Sequence, residues 1–288
     1  NMLEQKLVAA DEIGDDFALL FIDLDGFKSV NDSLGHHAGD ELLRRLADRM
    51  RVLSRGDDVV ARLGGDEFGV LHCGDVDEGS ASALAQRLVA IISEPFEIDS
   101  QIVSVGCSIG IVLNSWHGNG AESLMKRADL ALYAVKVMGK GGYAWFEASM
   151  EEKADRERAL RQELTTALER GELEVHYQPI VHTGSREIVC CEAPLRWHHP
   201  LRGMVPPSEF IPIAEAAGFI ERIGQWVLEQ ACMQAAKWPE TVRIAVNLSP
   251  RQFTGFGLAA GVMRALERSG LDPNRLELEI TESVLLAD

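Results

Sequence analysis

A chain of 288 residues, 46% hydrophobic and 25% charged, has the size and composition of two ordinary soluble domains, each able to bury a core. Its formal charge of −17 argues against non-specific binding to nucleic acid or to an anionic membrane surface, since both reward lysine and arginine. No apolar run approaches a membrane span, no signal-peptide pattern opens the chain, and five cysteines without metal-ligand spacing point to a reducing, cytoplasmic setting.

In chain order, the pattern predicts a strand over Phe17–Asp23 and a helix over Ala38–Ser54. Strands over Val59–Leu63 and Glu67–Cys73, a helix over Gly79–Ser93 and a strand over Ile102–Leu113 follow. These six make the β-α-β-β-α-β order of a ferredoxin-like domain, extended by a helix over Ala121–Met138 and a strand near Tyr143–Phe146. In that topology the first and third strands are antiparallel neighbours, so the end of one lies beside the start of the other. The charge-dense stretch Ser149–Gly171 carries Leu160, Leu164 and Leu168 on one stripe and ends at a glycine. It reads as a helix connecting a domain over 1–148 to a second over 172–288.

In the second domain, strands over Leu173–Ile180, Ile188–Ala193, Arg243–Asn247 and Leu276–Ile280 alternate with helices near Pro207–Ala217, Gly224–Lys237 and Gly257–Ser269. This is the beginning of a β/α barrel, of which about four strands are roughly half. Half a barrel leaves two open edges, so the pattern implies a longer parent protein. Adjacent Cys190 and Cys191 point to opposite faces of their strand, which argues against a shared zinc site.

Two stretches of the first domain converge chemically. Asp23 ends the first strand, while Asp66 and Glu67 begin the third, after a Gly64–Gly65 hairpin turn. Three carboxylates this close are costly unless a cation sits among them. Lys28 is suited to phosphate, Asn31 and Asp40 to a guanine edge, and Lys136 and Lys140 to terminal phosphates. In the second domain Glu192, Asn247 and Glu279 fall at or near the carboxyl ends of three barrel strands, where such barrels build their sites. Two carboxylates and an amide oxygen are hard ligands suited to Mg²⁺ or Mn²⁺.

The phrases "FIDLDGFKSVND", "GHHAGDELL" and "RLGGDEF" resemble the GGDEF family of diguanylate cyclases, which condense two GTP molecules into cyclic di-GMP. The resemblance covers nearly all of 1–146. It implies that Asp23, the Leu24 carbonyl and Asp66 hold Mg²⁺ or Mn²⁺, that Glu67 helps deprotonate the attacking 3′-hydroxyl, and that Asp23, Asp66 and Glu67 form the catalytic set. It further implies guanine binding by Asn31 and Asp40 and phosphate binding by Lys28, Lys136 and Lys140. Because each domain holds one GTP, closing the twofold product implies a homodimer. "RGDD" places Arg55 and Asp58 on the family's product-inhibition motif. The family's usual lead-in is absent, since the chain opens on "NMLEQKL", which leaves the upstream sensory input outside this sequence.

"HYQPIV", "CEAPLRW", "AVNLS" and "ELEITES" resemble the EAL family, phosphodiesterases that hydrolyse cyclic di-GMP to a linear dinucleotide. The resemblance implies metal binding by Glu192, Asn247 and Glu279, dinucleotide contacts from Gln178 and Arg196, and loop support from Glu282. There are two departures. Pro194 stands where the family has leucine, fixing φ and removing a donor within an expected central strand. The family's later motifs, including its aspartate pair and final glutamate, belong to strands beyond Asp288. The expected fold is therefore a ferredoxin-like GGDEF domain followed by a partial (β/α)8 TIM-barrel EAL domain. The expected partners are GTP, cyclic di-GMP and a second copy of the chain, with no nucleic acid and no membrane segment. There are two other readings. One is a catalytically silent receptor module that binds GTP or cyclic di-GMP and passes a conformational change to a partner through the Ser149–Gly171 helix; the other, a nucleotide cyclase or polymerase-type palm with another substrate, explains neither Asn31 and Asp40 nor the barrel.

Overall fold

In the computed structural model, which describes residues 8, 16–54, 56–117, 120–254 and 257–280, the nine residues Phe17–Asp25 form a strand, β1, buried along almost its whole length. Alternation divides its side chains. Ala18, Leu20, Ile22 and Leu24 enter one apolar cluster, and Phe17, Leu19 and Phe21 enter another. A strand apolar on both faces is central, with helices on each side.

β1 lies in a five-stranded sheet of order β2-β3-β1-β6-β7, built with β2 (Val59–Gly64), β3 (Glu67–Cys73), β6 (Gly106–Leu113) and β7 (Gly142–Trp145). Its neighbours β3 and β6 are both antiparallel to it, while β6 and β7 run parallel. One face is covered by α1 (Phe27–Leu34), α2 (His36–Leu53) and α3 (Glu78–Ile92), through residues such as Phe27, Leu42, Leu46 and Leu88. After a short α4 (Asn114–His117), α5 (Ala121–Val137) covers the other with Leu124, Ala128, Ala131 and Leu132. This is the expected ferredoxin-like arrangement.

One helix is additional to those expected, and one expected strand is subdivided. Before the predicted Ala38–Ser54 helix, Gly35 (φ 84°, ψ 161°) separates α1 from α2, a conformation that glycine adopts readily. The expected Ile102–Leu113 strand is broken because β4 (Phe96–Ile98) and β5 (Gln101–Val103) form a separate hairpin, and β6 starts only at Gly106. Asp99 and Ser100 turn that hairpin with φ of 48° and 63°, values that short polar side chains tolerate.

The chain divides into two units between Ala154 and Asp155, within α6 (Ala148–Ala167). The helix is shorter at its end than the expected Ser149–Gly171. Leu160, Leu164 and Ala167 are buried in the second unit's core, with Leu168 packed against it.

In the second unit the expected first strand is two, β8 (Leu173–Val175) and β9 (Gln178–Val181). The next, expected over Ile188–Ala193, is β10 (Ile188–Glu192), and beyond Pro194 a further strand, β11 (Leu195–His199), pairs with β12 (Gly203–Val205). β9 pairs antiparallel with β10 and β8 with β11, so two strands share the same break. α7 (Pro207–Ala217) and α8 (Ile220–Ala235) lead to β13 (Arg243–Leu248), and α9 (Pro250–Thr254) and α10 (Leu258–Ser269) lead to β14 (Leu276–Ile280). α8 begins four residues before the expected Gly224. β10, β13 and β14 are parallel, the strand-helix-strand wall of a β/α barrel. Trp197, Phe210, Val227 and Leu228 fill its core. Among the described residues no helix is long and apolar enough to cross a membrane.

Candidate active site

Antiparallel register sets Asp23 directly opposite Glu67 at the end of the β1–β3 ladder. The hairpin between β2 and β3 turns at Gly65 and Asp66, with Gly65 at φ 49°; Gly64 is the last residue of β2, one position earlier in the turn than expected. Arg62 Nε donates to the Gly65 carbonyl at 3.0 Å, and the Leu24 N–H donates to the Asp66 carbonyl at 3.3 Å. The first bond closes the turn on its own hairpin and the second fastens it to the end of β1. Asp23, Asp66 and Glu67 thus meet from two distant stretches of chain.

The electrostatics record the crowding. Burial, then the charges of Asp66 and Asp25, push the Asp23 carboxyl above its ordinary range, although Lys136 opposes this. Burial and the charge of Asp23 raise Glu67 likewise, with smaller contributions from Asp129 and Asp66. Lys136 Nζ, from α5, sits 2.7 Å from Asp23 Oδ2. A side chain assigned to phosphate therefore occupies the acid rim here. Several desolvated hard oxygens sharing one ammonium fit a divalent cation of the Mg²⁺ class, which takes carboxylate and carbonyl ligands.

Asp25 was not among the expected site residues. Its Oδ2 accepts from Ser108 Oγ at 2.9 Å and from the Gly141 N–H at 3.2 Å, and its Oδ1 is buried with no hydrogen-bond partner. The Gly141 bond ties down the turn that carries Lys140, itself at φ 65° and exposed. The available signal was the Asp-Leu-Asp spacing, which puts Asp25 on the same strand face as Asp23.

Lys28 is exposed on α1, Asn31 is half-buried near its end, and Asp40 is exposed on α2. Gly39 permits the close approach of these two helices, since a Cβ there would lie 2.0 Å from Asn31 Oδ1. Gly39 too was missed, because its importance lies in a contact with another element. Arg55 lies outside the described residues. Its expected partner Asp58 is no solvated loop charge: its side chain is 1% exposed, with Oδ1 2.9 Å from His72 Nδ1 and accepting from the Cys73 N–H at 3.1 Å.

In the second unit, Asn247 Nδ2 donates to Glu192 Oε1 at 2.7 Å. Glu279 pairs with Asn247 across β13 and β14, and Gln178 pairs with Glu192 across β9 and β10. Three oxygen-bearing side chains at adjacent strand ends fit a hard cation by donor chemistry. Arg196, on β11, donates from Nη1 to the Leu195 carbonyl at 3.0 Å. Pro194 is not inside a strand, contrary to expectation. It lies in the gap between β10 and β11, where no ladder donor is required of it, and its carbonyl accepts from the His176 N–H at 3.0 Å. The Ala193 N–H still bonds the Ala245 carbonyl at 2.8 Å, so the backbone beside Glu192 is held. Glu282 lies outside the described residues.

A ferredoxin-like palm with an acidic rim, followed by a β/α-barrel wall with its own oxygen donors, defines a two-domain α/β protein equipped for divalent cations. The family model "Diguanylate cyclase, GGDEF domain" matches residues 1–141, and the model "EAL domain" matches residues 161–288. The chain belongs to the family of tandem GGDEF–EAL proteins. The bifunctional diguanylate cyclase/cyclic di-GMP phosphodiesterase MucR of Pseudomonas aeruginosa is 44% identical, over 100% of this chain and 42% of that protein. Cyclic di-GMP phosphodiesterase NbdA of the same organism is 39% identical, over 95% of this chain and 35% of its own. The chain thus spans less than half the length of these curated relatives. Among solved structures, a TpbB (YfiN) mutant from Pseudomonas aeruginosa comprising only the GGDEF domain is 37% identical, with a TM-score of 0.50 over 54% of this chain and 90% of that one. The Vibrio cholerae LapD S helix–GGDEF–EAL structure, bound to c-di-GMP, has a TM-score of 0.62 over 100% of this chain and 68% of that one. At 17% identity the likeness is one of fold.

Proposed function

We propose that this chain belongs to a cyclic di-GMP signalling protein whose first domain condenses two GTP molecules into cyclic di-GMP. The observation that carries this reading is the convergence of Asp23, Asp66 and Glu67 at one rim, with Lys136 drawn to it. Each 3′-hydroxyl attacks the α-phosphorus of the other GTP and releases pyrophosphate. Glu67, its carboxyl held above the ordinary range by burial and by Asp23, accepts the hydroxyl proton. Mg²⁺ or Mn²⁺, when bound by Asp23, the Leu24 carbonyl and Asp66, supplies charge neutralisation at the α-phosphate and lowers the hydroxyl pKa. Lys28, Lys136 and Lys140 offset triphosphate charge that a protein of formal charge −17 otherwise repels. Asn31 and Asp40 present an amide and a carboxylate to the guanine edge. One GTP per domain makes the working unit a face-to-face homodimer.

For the second domain the reading is a phosphodiesterase-type module for cyclic di-GMP, whose reaction is hydrolysis to the linear dinucleotide. Glu192, Asn247 and Glu279 would hold divalent cations, and Gln178 and Arg196 would contact the substrate. The Asn247–Glu192 bond and the strand register support the grouping. Incubation with GTP and Mg²⁺, followed by chromatography, tests the first activity. The Asp66→Ala variant is expected to abolish synthesis and leave circular dichroism unchanged. Full activity in that variant refutes the assignment of the acid rim. GTP binding without product, at concentrations where the chain is dimeric, makes the domain a receptor instead.

A further inference from the structure

Neither oxygen-donor set uses the face of the β8–β11 pair on which two histidines meet a glutamate. Arg196 pairs with Glu174 across that ladder, flanked by Leu195 with Val175 and Trp197 with Leu173. The His176 N–H bonds the Pro194 carbonyl and the His198 N–H bonds the Glu172 carbonyl, at 3.0 and 2.8 Å. The period of two puts Glu174 and His176 on one face, and His198, opposite Glu172, is the diagonal neighbour of Glu174 on that face. The opposite face buries Leu173, Val175 and Trp197 in the core, so the three polar side chains project from a rigid support.

Their ligand atoms already converge. His198 Nε2 lies 3.0 Å and His176 Nε2 3.4 Å from the same oxygen, Glu174 Oε2, and the set falls within 4.8 Å. Ligands of four-coordinate zinc, with bonds of about 2.1 Å, sit roughly 3.4 Å from one another, so little movement separates this cluster from a coordination shell. The two ring centroids are 6.0 Å apart and the rings inclined by 35°. Among the described residues no lysine or arginine forms an ion pair with Glu174; its partners are the two imidazoles. Side-chain exposures of 45%, 49% and 61% leave solvent free to fill the remaining positions.

We propose that Glu174, His176 and His198 form a binding site for a divalent transition metal, Zn²⁺ foremost, distinct from the Mg²⁺-type oxygen sets. Two imidazoles and one carboxylate select borderline ions such as Zn²⁺ over Mg²⁺. The bound ion clamps β8 to β11. Those strands continue into β9 and β10, so the clamp lies two residues from Gln178 and reaches toward Glu192 across the break at Pro194.

The test uses the full chain and two metals. Co²⁺ is titrated in as a spectroscopic stand-in, and Zn²⁺ binding is followed by calorimetry in metal-free buffer. The expected result is a low-symmetry Co²⁺ visible spectrum that Zn²⁺ abolishes, and a Zn²⁺-dependent rise in the second unit's thermal midpoint. Since outer-shell partners alone are worth about 10–100-fold, the double variant His176→Ala/His198→Ala is expected to lose at least about 100-fold in affinity for this site. His198→Asn, which keeps a polar side chain of similar size, is expected to weaken binding with unchanged circular dichroism, separating ligand loss from misfolding. A wild-type chain that takes up no Zn²⁺, or a double variant that binds it equally well, overturns the proposal.

Discussion

Gly110 is where α5 rests on the sheet, and replacing it with alanine is the sharpest test of how the acid rim is built. A Cβ at this position in β6 would lie 1.9 Å from the Ala128 carbonyl oxygen and 2.4 Å from the Leu132 nitrogen. Ordinary contact begins near 3.4 Å, so α5 must retreat by about 1.5 Å. Overpacking a core costs about 1–3 kcal/mol, occasionally more. Because both obstructing atoms are helix backbone, which cannot rotate aside, the upper end of about 3 kcal/mol is expected. The functional effect is separate. α5 carries Lys136, whose ammonium reaches Asp23 at 2.7 Å, and a misplacement of about 1 Å costs up to ~100-fold in rate. The internal control is Gly106→Ala in the same strand, whose Cβ would meet only the Asp25 side chain at 3.5 Å and is expected to stay within about 0.5 kcal/mol. Urea denaturation followed at the first unit's transition, paired with GTP turnover, reads both quantities. If Gly110→Ala proves as stable and as active as Gly106→Ala, α5 does not bear on β6 at this point.

Three further outcomes are expected. Gly39→Ala drives a methyl to 2.0 Å from Asn31 Oδ1, so it is expected to weaken GTP binding, measured by calorimetry, more than it lowers the thermal midpoint. Asp58→Ala removes an acceptor buried against His72 and the Cys73 N–H, and is expected to cost about 1–3 kcal/mol in urea denaturation, while exposed Asp57→Ala stays within ~0.5 kcal/mol. The third concerns pH in chelator-treated buffer. Because the folded Asp23 carboxyl lies above 3.8, its protonation favours the native state, a contribution fully present below 3.8 and lost as the pH rises through the folded value. Asp23→Asn is therefore expected to be more stable than wild type near neutrality, with the advantage shrinking as the pH falls toward 3.8. A constant difference across that window, in denaturation midpoints, contradicts the burial of Asp23.

Much of this protein was legible in its sequence because the signals are local. The apolar run before Asp23 marks β1 as a central strand, the Gly-Gly-Asp-Glu turn marks the hairpin, and strand-helix alternation after Gly171 marks the barrel wall. Residue type and spacing likewise singled out Asp23, Asp66 and Glu67, because topology alone makes their strands neighbours. Tertiary structure decided what depends on atoms far apart in the chain. Asp25 reaches across 116 residues to the Gly141 N–H, Gly110 matters through the carbonyl of Ala128, and Asp58 turns inward to His72 instead of facing solvent. Pro194 reads as a strand defect in sequence, yet a break shared by two paired strands gives it a place that needs no N–H. The two histidines and Glu174 converge only because β8 and β11 pair in one register. Periodicity specifies which face a side chain takes; packing specifies which atoms meet there.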